Sequence, residues 1–324
     1  GTGTGAVGTP AQPARSARSA RRPQVRMLRF GVGGIGLGGS VTSGTLYVVA
    51  TPIGNLEDLS MRAVRVLGEV DLIAAEDTRH SAKLLQHYGI RTQVVSLHEH
   101  NERTQTPRLV EMLRAGKSIA LISDAGTPLV SDPGFQLVRI ARAQGVRVSP
   151  VPGPCAAIAA LSVAGLPTDR FVFEGFPPAR ASARRAAFAA LKHEPRTIVY
   201  YESAHRIVDS LADMAAEFGD ERPAVLAREL TKKFETIWSG TLGELRSRVA
   251  EPNERLGEFV VLLHGASAAE RSADEADAER VLRPLLEALP LKEAVALAAR
   301  ITGAPKNRLY QRALALKATP APGT

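Results

Sequence analysis

The chain has 324 residues, of which 44% are hydrophobic, a net charge of +8 and one cysteine. That length allows two domains, a single Cys155 excludes an intramolecular disulfide and fits a reducing cytoplasm, and no run approaches the roughly 20 apolar residues of a membrane span. The charge is uneven: residues 1–43 hold six arginines and no acid, and 280–324 hold eight basic residues against Glu287 and Glu293. This leaves 44–279 at −4, so attraction for polyanions resides at the two ends.

Residues 1–43, rich in Gly, Ala, Ser, Arg and Pro without a sustained period, read as disordered or as a translated upstream extension. Gly31-Val32-Gly33-Gly34-Ile35-Gly36 matches the dinucleotide fingerprint, but no strand precedes it and Leu37-Gly38-Gly39-Ser40 is a poor helix start. No dinucleotide site is expected there. From residue 45, apolar runs at 46–50, 71–75, 94–97, 119–122 and 146–151 read as strands. They alternate with helical patterns at 59–67, 81–88, 106–115 and 135–142. This alternation predicts an α/β domain, 44–153, with a mostly parallel sheet buried on both faces.

Val151-Pro152-Gly153-Pro154 and a small-residue helix at 155–163 mark a junction. Beyond it, strands at 171–173, 198–201, 224–227, 235–238 and 259–263 are interrupted by helices at 182–191, 204–218 and 242–249. They predict a mixed-sheet α+β domain over 154–266. Residues 267–279 read as a polar linker with some helical character. Helices at 281–288, 291–299 and 306–314 then form a basic appendage, 280–318, in which 302–305 makes a tight turn.

Chemistry concentrates in three strand-end loops, Thr51 to Asp58, Glu76 to His80 and Ser123 to Gly134, which parallel strands would gather on one sheet edge. In the third, Gly126 and Gly134 permit positive φ, and Pro128 and Pro133 stiffen the path. Asp124, at a strand end, reads as a ligand contact, whereas Asp132-Pro133 has the form of an N-cap followed by proline in the first turn. There is no P-loop, and an aspartate opening the loop repels phosphate, so a neutral or cationic ligand such as a sulfonium cofactor is preferred. The seven histidines show no metal-ligand spacing, and no G-x-S-x-G elbow occurs. In the second half, 202–206 and 227–233 each set a carboxylate and a cation after a strand. Read by themselves, they fit a functional pair or a solvated ion pair with Ser203 as a helix cap.

Six stretches together resemble the ribosomal RNA small subunit methyltransferase I family of the tetrapyrrole methylase superfamily. They are 46–58, 75–79, 123–134, 151–156, Tyr201-Glu202-Ser203-Ala204-His205-Arg206 and 227–232. The resemblance spans about 45–318. Residues 1–43 have no counterpart in it, and Ala204 stands where the family often has proline. It implies a two-domain fold with S-adenosyl-L-methionine in the interdomain cleft. That cofactor would be lined by Asp124, Ala125, Gly126, Leu129 and Val130, with Cys155 and Ala156 from the junction and Tyr201 and Glu229 from the second domain. It further implies 2′-O-methylation of a cytidine in 16S rRNA within the small ribosomal subunit, a homodimer, and a C-terminal helix-turn-helix. A 2′-hydroxyl needs a base in the transition state. Glu202, His205 and Glu229 are candidates, with Glu202 or His205 favoured, while Arg206 and Lys232 would position the RNA. A methylase of a small tetrapyrrole and a non-catalytic RNA-binding protein are the competing readings. The first would be expected to carry a glycine-rich first loop where this chain has Thr51-Pro52-Ile53-Gly54-Asn55.

Overall fold

The computed structural model describes Gly1 and residues 43–318. The reading of 1–43, with its 31–36 glycine motif, falls outside the described residues except at its two ends. The first sheet comprises β1 (Thr45–Val49), β2 (Leu72–Ala75), β3 (Val94–Ser96), β4 (Ile119–Ile122) and β5 (Arg147–Val151). Its order is β3-β2-β4-β1-β5 and every pairing is parallel. The cause is visible in the apolar runs. β2 and β4 are buried at all four positions, which requires cover on both faces. That cover comes from α1 (Met61–Glu69), α2 (Thr78–His87), α3 (Glu102–Arg114) and α4 (Phe135–Ala143). One face packs around Val49, Leu67, Ile73 and Ile122, the other around Leu46, Leu109, Leu121 and Leu137.

Two helix starts follow local capping: Ser60 accepts from the Ala63 N–H at 3.1 Å, and Asp77 from the Arg79 N–H at 2.8 Å. Two others depart from the sequence reading. α3 begins at Glu102, before the apolar period starts at Thr106, because its first turn is built from polar residues. α4 is not capped by Asp132. Gly134 occupies its N-cap without a side-chain bond, and its orphan N–H groups are satisfied from another helix. Buried Glu102 accepts from Gln136 N at 2.7 Å and Leu137 N at 3.2 Å. A carboxylate at a helix N-terminus also complements the helix dipole.

The second sheet comprises β6 (Phe171–Gly175), β7 (Thr197–Ser203), β8 (Pro223–Arg228), β9 (Thr236–Thr241) and β10 (Glu258–Leu263), in the order β6-β7-β10-β8-β9. β6 runs parallel to β7 and the remaining pairs are antiparallel, which makes the expected mixed sheet. α5 (Ala156–Val163) covers one face. Its Ala157, Ala160 and Leu161 pack on Val199, Val225 and Leu262, and Ile53 from the first-sheet loops joins the same cluster. α6 (Ala181–Ala190), α7 (Ile207–Phe218) and α8 (Leu242–Val249) cover the other face, around Phe188, Leu211, Trp238 and Val261. The buried Arg184 guanidinium ties α6 to α7 through Asp213 at 2.6 Å. Ser203 does not cap α7. That helix starts at Ile207 behind Arg206, with no side-chain cap bond.

The last three helices, α9 (Ala268–Ala288), α10 (Leu291–Thr302) and α11 (Lys306–Ala318), enclose a small core of Leu282, Val295, Ala298, Leu309 and Ala313. The segment read as a linker is therefore helical from Ala268. Its alanine and alternating charge favour helix even without an apolar stripe. Among the described residues no helix is long and apolar enough to cross a membrane.

Candidate functional site

The three strand-end loops of the first sheet are bonded to one another. Thr51 and Gly126 exchange both backbone bonds, at 2.8 and 3.1 Å, which joins the first loop to the third. The Asp124 carboxylate accepts the Asp77 N–H at 3.0 Å, which joins the second to the third. Gly126 and Gly134 adopt φ of +84° and +117°. At Gly134 a Cβ would also come within 2.6 Å of the Leu121 side chain, so the loop can return to α4 only through glycine. Leu129 and Ser131, at φ +73° and +67°, and Glu229 and Thr231, at +52° and +65°, are all the non-glycine residues with positive φ among those described. One pair lies in the third loop, the other between β8 and β9. Such conformations persist only where the surroundings enforce them, and they gather at functional sites.

These loops and the strand ends of the second sheet enclose a cleft of about 330 Å³. Its apolar part is formed by Ile53, Val130, Ala156, Ala227, Leu230 and Val260. Its polar part includes the carboxylates Glu76, Asp124 and Asp132 from the first sheet and Glu202 and Glu258 from the second. Burial raises the Asp132 carboxyl to a pKa of about 6, against a stabilising bond from Ser123 and with the help of Glu76 and Asp124. Burial, and then the charge of Asp124, likewise raises Glu76. Carboxylates crowded into a partly desolvated space favour a cationic guest, because such a guest relieves both penalties. No group of His, Cys, Asp and Glu among the described residues could hold a metal ion.

Of the residues proposed from sequence, Asp124, Ala125, Gly126, Val130, Ala156, Tyr201 and Glu202 line this cleft. Six do not. The Leu129 side chain packs into the first-sheet core. Cys155 is half-buried behind the wall, its Sγ 3.9 Å from the Tyr201 hydroxyl. That hydroxyl accepts the Ala157 N–H at 3.1 Å, and burial, with the nearby Cys155, raises its pKa. Glu229 is bound to the Lys232 ammonium at 2.8 Å and accepts the Glu258 N–H at 3.0 Å. Although burial opposes it, the bond from Lys232 holds the Glu229 carboxyl below its ordinary range. Lys232 also binds Glu258 at 2.8 Å, and its stem fills the space a Gly54 side chain would need. Burial works against its charge, yet these carboxylates raise it overall. His205 is exposed, and Arg206 turns to the carbonyls of Pro177 and Pro178.

Glu202, though at the cleft, is buried and engaged on both oxygens. One accepts the Ser203 N–H at 2.9 Å and lies 3.5 Å from the Arg206 guanidinium, and the other accepts the Ser210 hydroxyl at 2.5 Å. Sequence reasoning missed Glu76, Asp132 as a wall residue, Phe176 and Glu258. Glu76 lay inside a loop already singled out, and Asp132 was given to the helix. Phe176 and Glu258 carry no local signal, since only the pairing of β6 with β7 and of β10 with β7 and β8 brings them there.

The comparisons with known proteins bear on this geometry directly. Residues 45–246 match the model of the Tetrapyrrole (Corrin/Porphyrin) Methylases, and residues 272–317 that of the RsmI C-terminal HTH domain. Ribosomal RNA small subunit methyltransferase I from Pseudomonas aeruginosa is 60% identical over 276 residues, 85% of this chain and 98% of the relative. The protein of the same name from Escherichia coli O157:H7 is 55% identical, over 84% of this chain and 96% of its own length. The chain belongs to the ribosomal RNA small subunit methyltransferase I family. Its tetrapyrrole methylase fold is shared with solved structures of low identity. The methyltransferase CobJ has a TM-score of 0.53 at 19% identity, covering 69% of this chain and 95% of that one. Diphthine synthase has 0.51 at 17%, covering 68% and 90%. In this family setting, α9 to α11 correspond to the matched C-terminal domain. Arg283 and Arg312 are spent on Glu279, whereas Lys292, Arg300, Lys306 and Lys317 are exposed.

Proposed function

We propose that the chain transfers a methyl group from S-adenosyl-L-methionine to the ribose 2′-hydroxyl of a cytidine in 16S rRNA, acting as a homodimer on the small ribosomal subunit. One observation carries this reading. A carboxylate-walled, apolar-floored cleft lies where a parallel sheet edge meets a second sheet, in a chain 60% identical to a relative named for that reaction class. The chemistry of the wall fits the donor. Asp124, Asp132 and Glu76 suit a sulfonium, and Ile53, Ala156, Ala227 and Val260 offer apolar surface to its nucleoside. When bound, the donor supplies an electrophilic methyl group. The chain's part is to orient the acceptor, exclude water and take the hydroxyl proton. Of the three base candidates, Glu202 and Glu229 already spend their carboxylates on neighbours, which leaves exposed His205, two residues beyond the cleft-lining Ser203. Lys232, bound to two carboxylates, serves as a strut of the second wall. The exposed cations of α10 and α11 supply the attraction for RNA that the acidic body lacks.

The test is a transfer assay with methyl-labelled donor offered to small ribosomal subunits, naked 16S rRNA and a porphyrin precursor, followed by mass spectrometry of the nucleosides. Label in 2′-O-methylcytidine from subunits is the expected result. Label on the porphyrin, on a base, or on nothing overturns the reading. With subunits saturating, His205→Ala should lower the single-turnover rate without changing donor affinity. An unchanged rate removes His205 from the role.

A further inference from the structure

Phe176 is the anomaly of the cleft wall. It lines the site, yet the residue is 53% exposed, whereas other apolar residues of the lining, such as Ala227 and Val260, are buried. An exposed aromatic ring holds burial free energy in reserve for whatever comes to cover it. The backbone presents this ring deliberately. The register of β6 against β7 shifts between Phe173 and Gly175. Irregularities of that kind re-aim the side chains next to them. Gly175 then turns with φ +64°, and a Cβ there would come within 3.1 Å of the Ser131 hydroxyl, so this turn abuts the third loop of the first sheet. Beyond Phe176 stand Pro177 and Pro178, and the Arg206 guanidinium donates to the carbonyls of both. Tyr201 meets the Phe176 ring edge-on at 5.6 Å and is fixed in turn by Phe173 at 4.9 Å. Phe176 thus joins the cleft lining and the Tyr201 ring while about half of its surface stays open to solvent.

We infer that Phe176 is the platform on which a nucleobase of the RNA substrate stacks, bringing its ribose to the cleft, and that Arg206 positions this platform. The inference rests on the functional reading above and names the part of the RNA that the site grips. Every base has a π-face, and single-stranded RNA is commonly read by stacking on aromatic side chains. The Arg206 guanidinium, expected from sequence to hold phosphate, is directed at backbone carbonyls instead and acts through the loop it braces.

Kinetics with methyl-labelled donor and small ribosomal subunits test this, alongside calorimetric donor binding. Phe176→Ala should lower kcat/KM for subunits about ten- to a hundred-fold, the range that base–aromatic stacking carries. Donor Kd should stay within about twofold on the same grounds. Phe176→Trp should retain the activity, whereas Phe176→Leu, apolar but without a π-face, should behave like Phe176→Ala. Arg206→Lys should lower kcat/KM in the wild-type background and add little in the Phe176→Ala background, a coupling that general destabilisation would not produce. Wild-type kcat/KM for Phe176→Leu, or a weakened donor Kd for Phe176→Ala, overturns the platform. Additive losses in the double variant overturn the positioning role. A wild-type enzyme that labels no subunit RNA overturns the functional reading itself.

Discussion

The two sheets bring similar motifs, acids close to a strand end, to the same cleft and use them in opposite ways. On the first sheet, Glu76, Asp124 and Asp132 have no lysine or arginine bound to them among the described residues. Asp124 anchors a backbone N–H, and burial with mutual repulsion raises Glu76 and Asp132. On the second sheet, Glu202 and Glu229 are each paired with a cation and a backbone N–H. Negative charge without a bound cation therefore lies on one side of the cleft, and ion-paired carboxylates on the other. Carboxylates at strand ends acquire their meaning from what the rest of the fold leaves for them to bind.

This contrast can be broken from either side. The largest expected effect is on stability, in the paired half. Glu202→Leu removes a buried carboxylate that holds half-buried Arg206 and buried Ser210, and should destabilise the fold by about 3 kcal/mol, as broken buried pairs do. Denaturant midpoints at unchanged m-value would show it. A variant as stable as the wild type would mean that Glu202 is not the anchor its contacts describe. Next is Asp124→Ala, which releases the second loop and removes charge from the cleft. Donor affinity should fall about tenfold or more, in line with the loss of a hydrogen bond to a charged group. Calorimetry reads this directly, and an unaltered Kd would place the donor away from this wall.

A smaller effect sharpens the comparison through pH. Asp132 has a native pKa of about 6, raised from 3.8, so between those values the folded chain binds more protons than the unfolded chain. Its contribution to stability is therefore lost as pH rises from about 4 to about 6. Affinity for a cationic donor should move the other way and increase as pH rises through 6, because the carboxylate must ionise to attract it. Asp132→Asn should flatten that part of the profile, and a profile identical to the wild type would rule Asp132 out. The smallest effect belongs to Glu229→Gln. Its ion pair is partly solvated, and stability should change by only about 1 kcal/mol or less. A larger loss in thermal unfolding would show that the strained turn at Glu229 depends on the charge.

Much of the architecture was legible from pattern alone. Doubly buried strands such as Ala120 to Ile122 leave little choice but a covered parallel sheet, and the Pro-Gly-Pro punctuation at 152–154 locates the passage to the second sheet. The boundaries that escaped did so for identifiable reasons. Asp132-Pro133 has the form of a cap, yet the first-turn N–H groups of α4 are satisfied by Glu102, 34 residues before Gln136, and no local rule anticipates a bond across helices. The alanine-rich start of α9 lacks an apolar stripe and so read as linker. In the site, residues on loops with unusual composition were found, whereas Phe176 and Glu258 enter through strand pairing. Conversely, Arg206, Lys232 and Glu229 carried the right chemistry but are held in the local pairs Glu202–Arg206 and Glu229–Lys232 that the sequence also allowed, and in bonds to Glu258, Pro177 and Pro178 that only the tertiary structure supplies.

The central claim is that the methyl donor occupies the cleft between the acidic loops of the first sheet and the aromatic edge of the second. A crystal structure of the full chain with S-adenosylhomocysteine tests it most directly. The ligand is expected against Asp124, Asp132 and Ala156, with its sulfur within reach of the carboxylates and the Phe176 ring still open to the RNA side. A ligand bound elsewhere, or one that covers Phe176 and leaves the carboxylates bare, would contradict it.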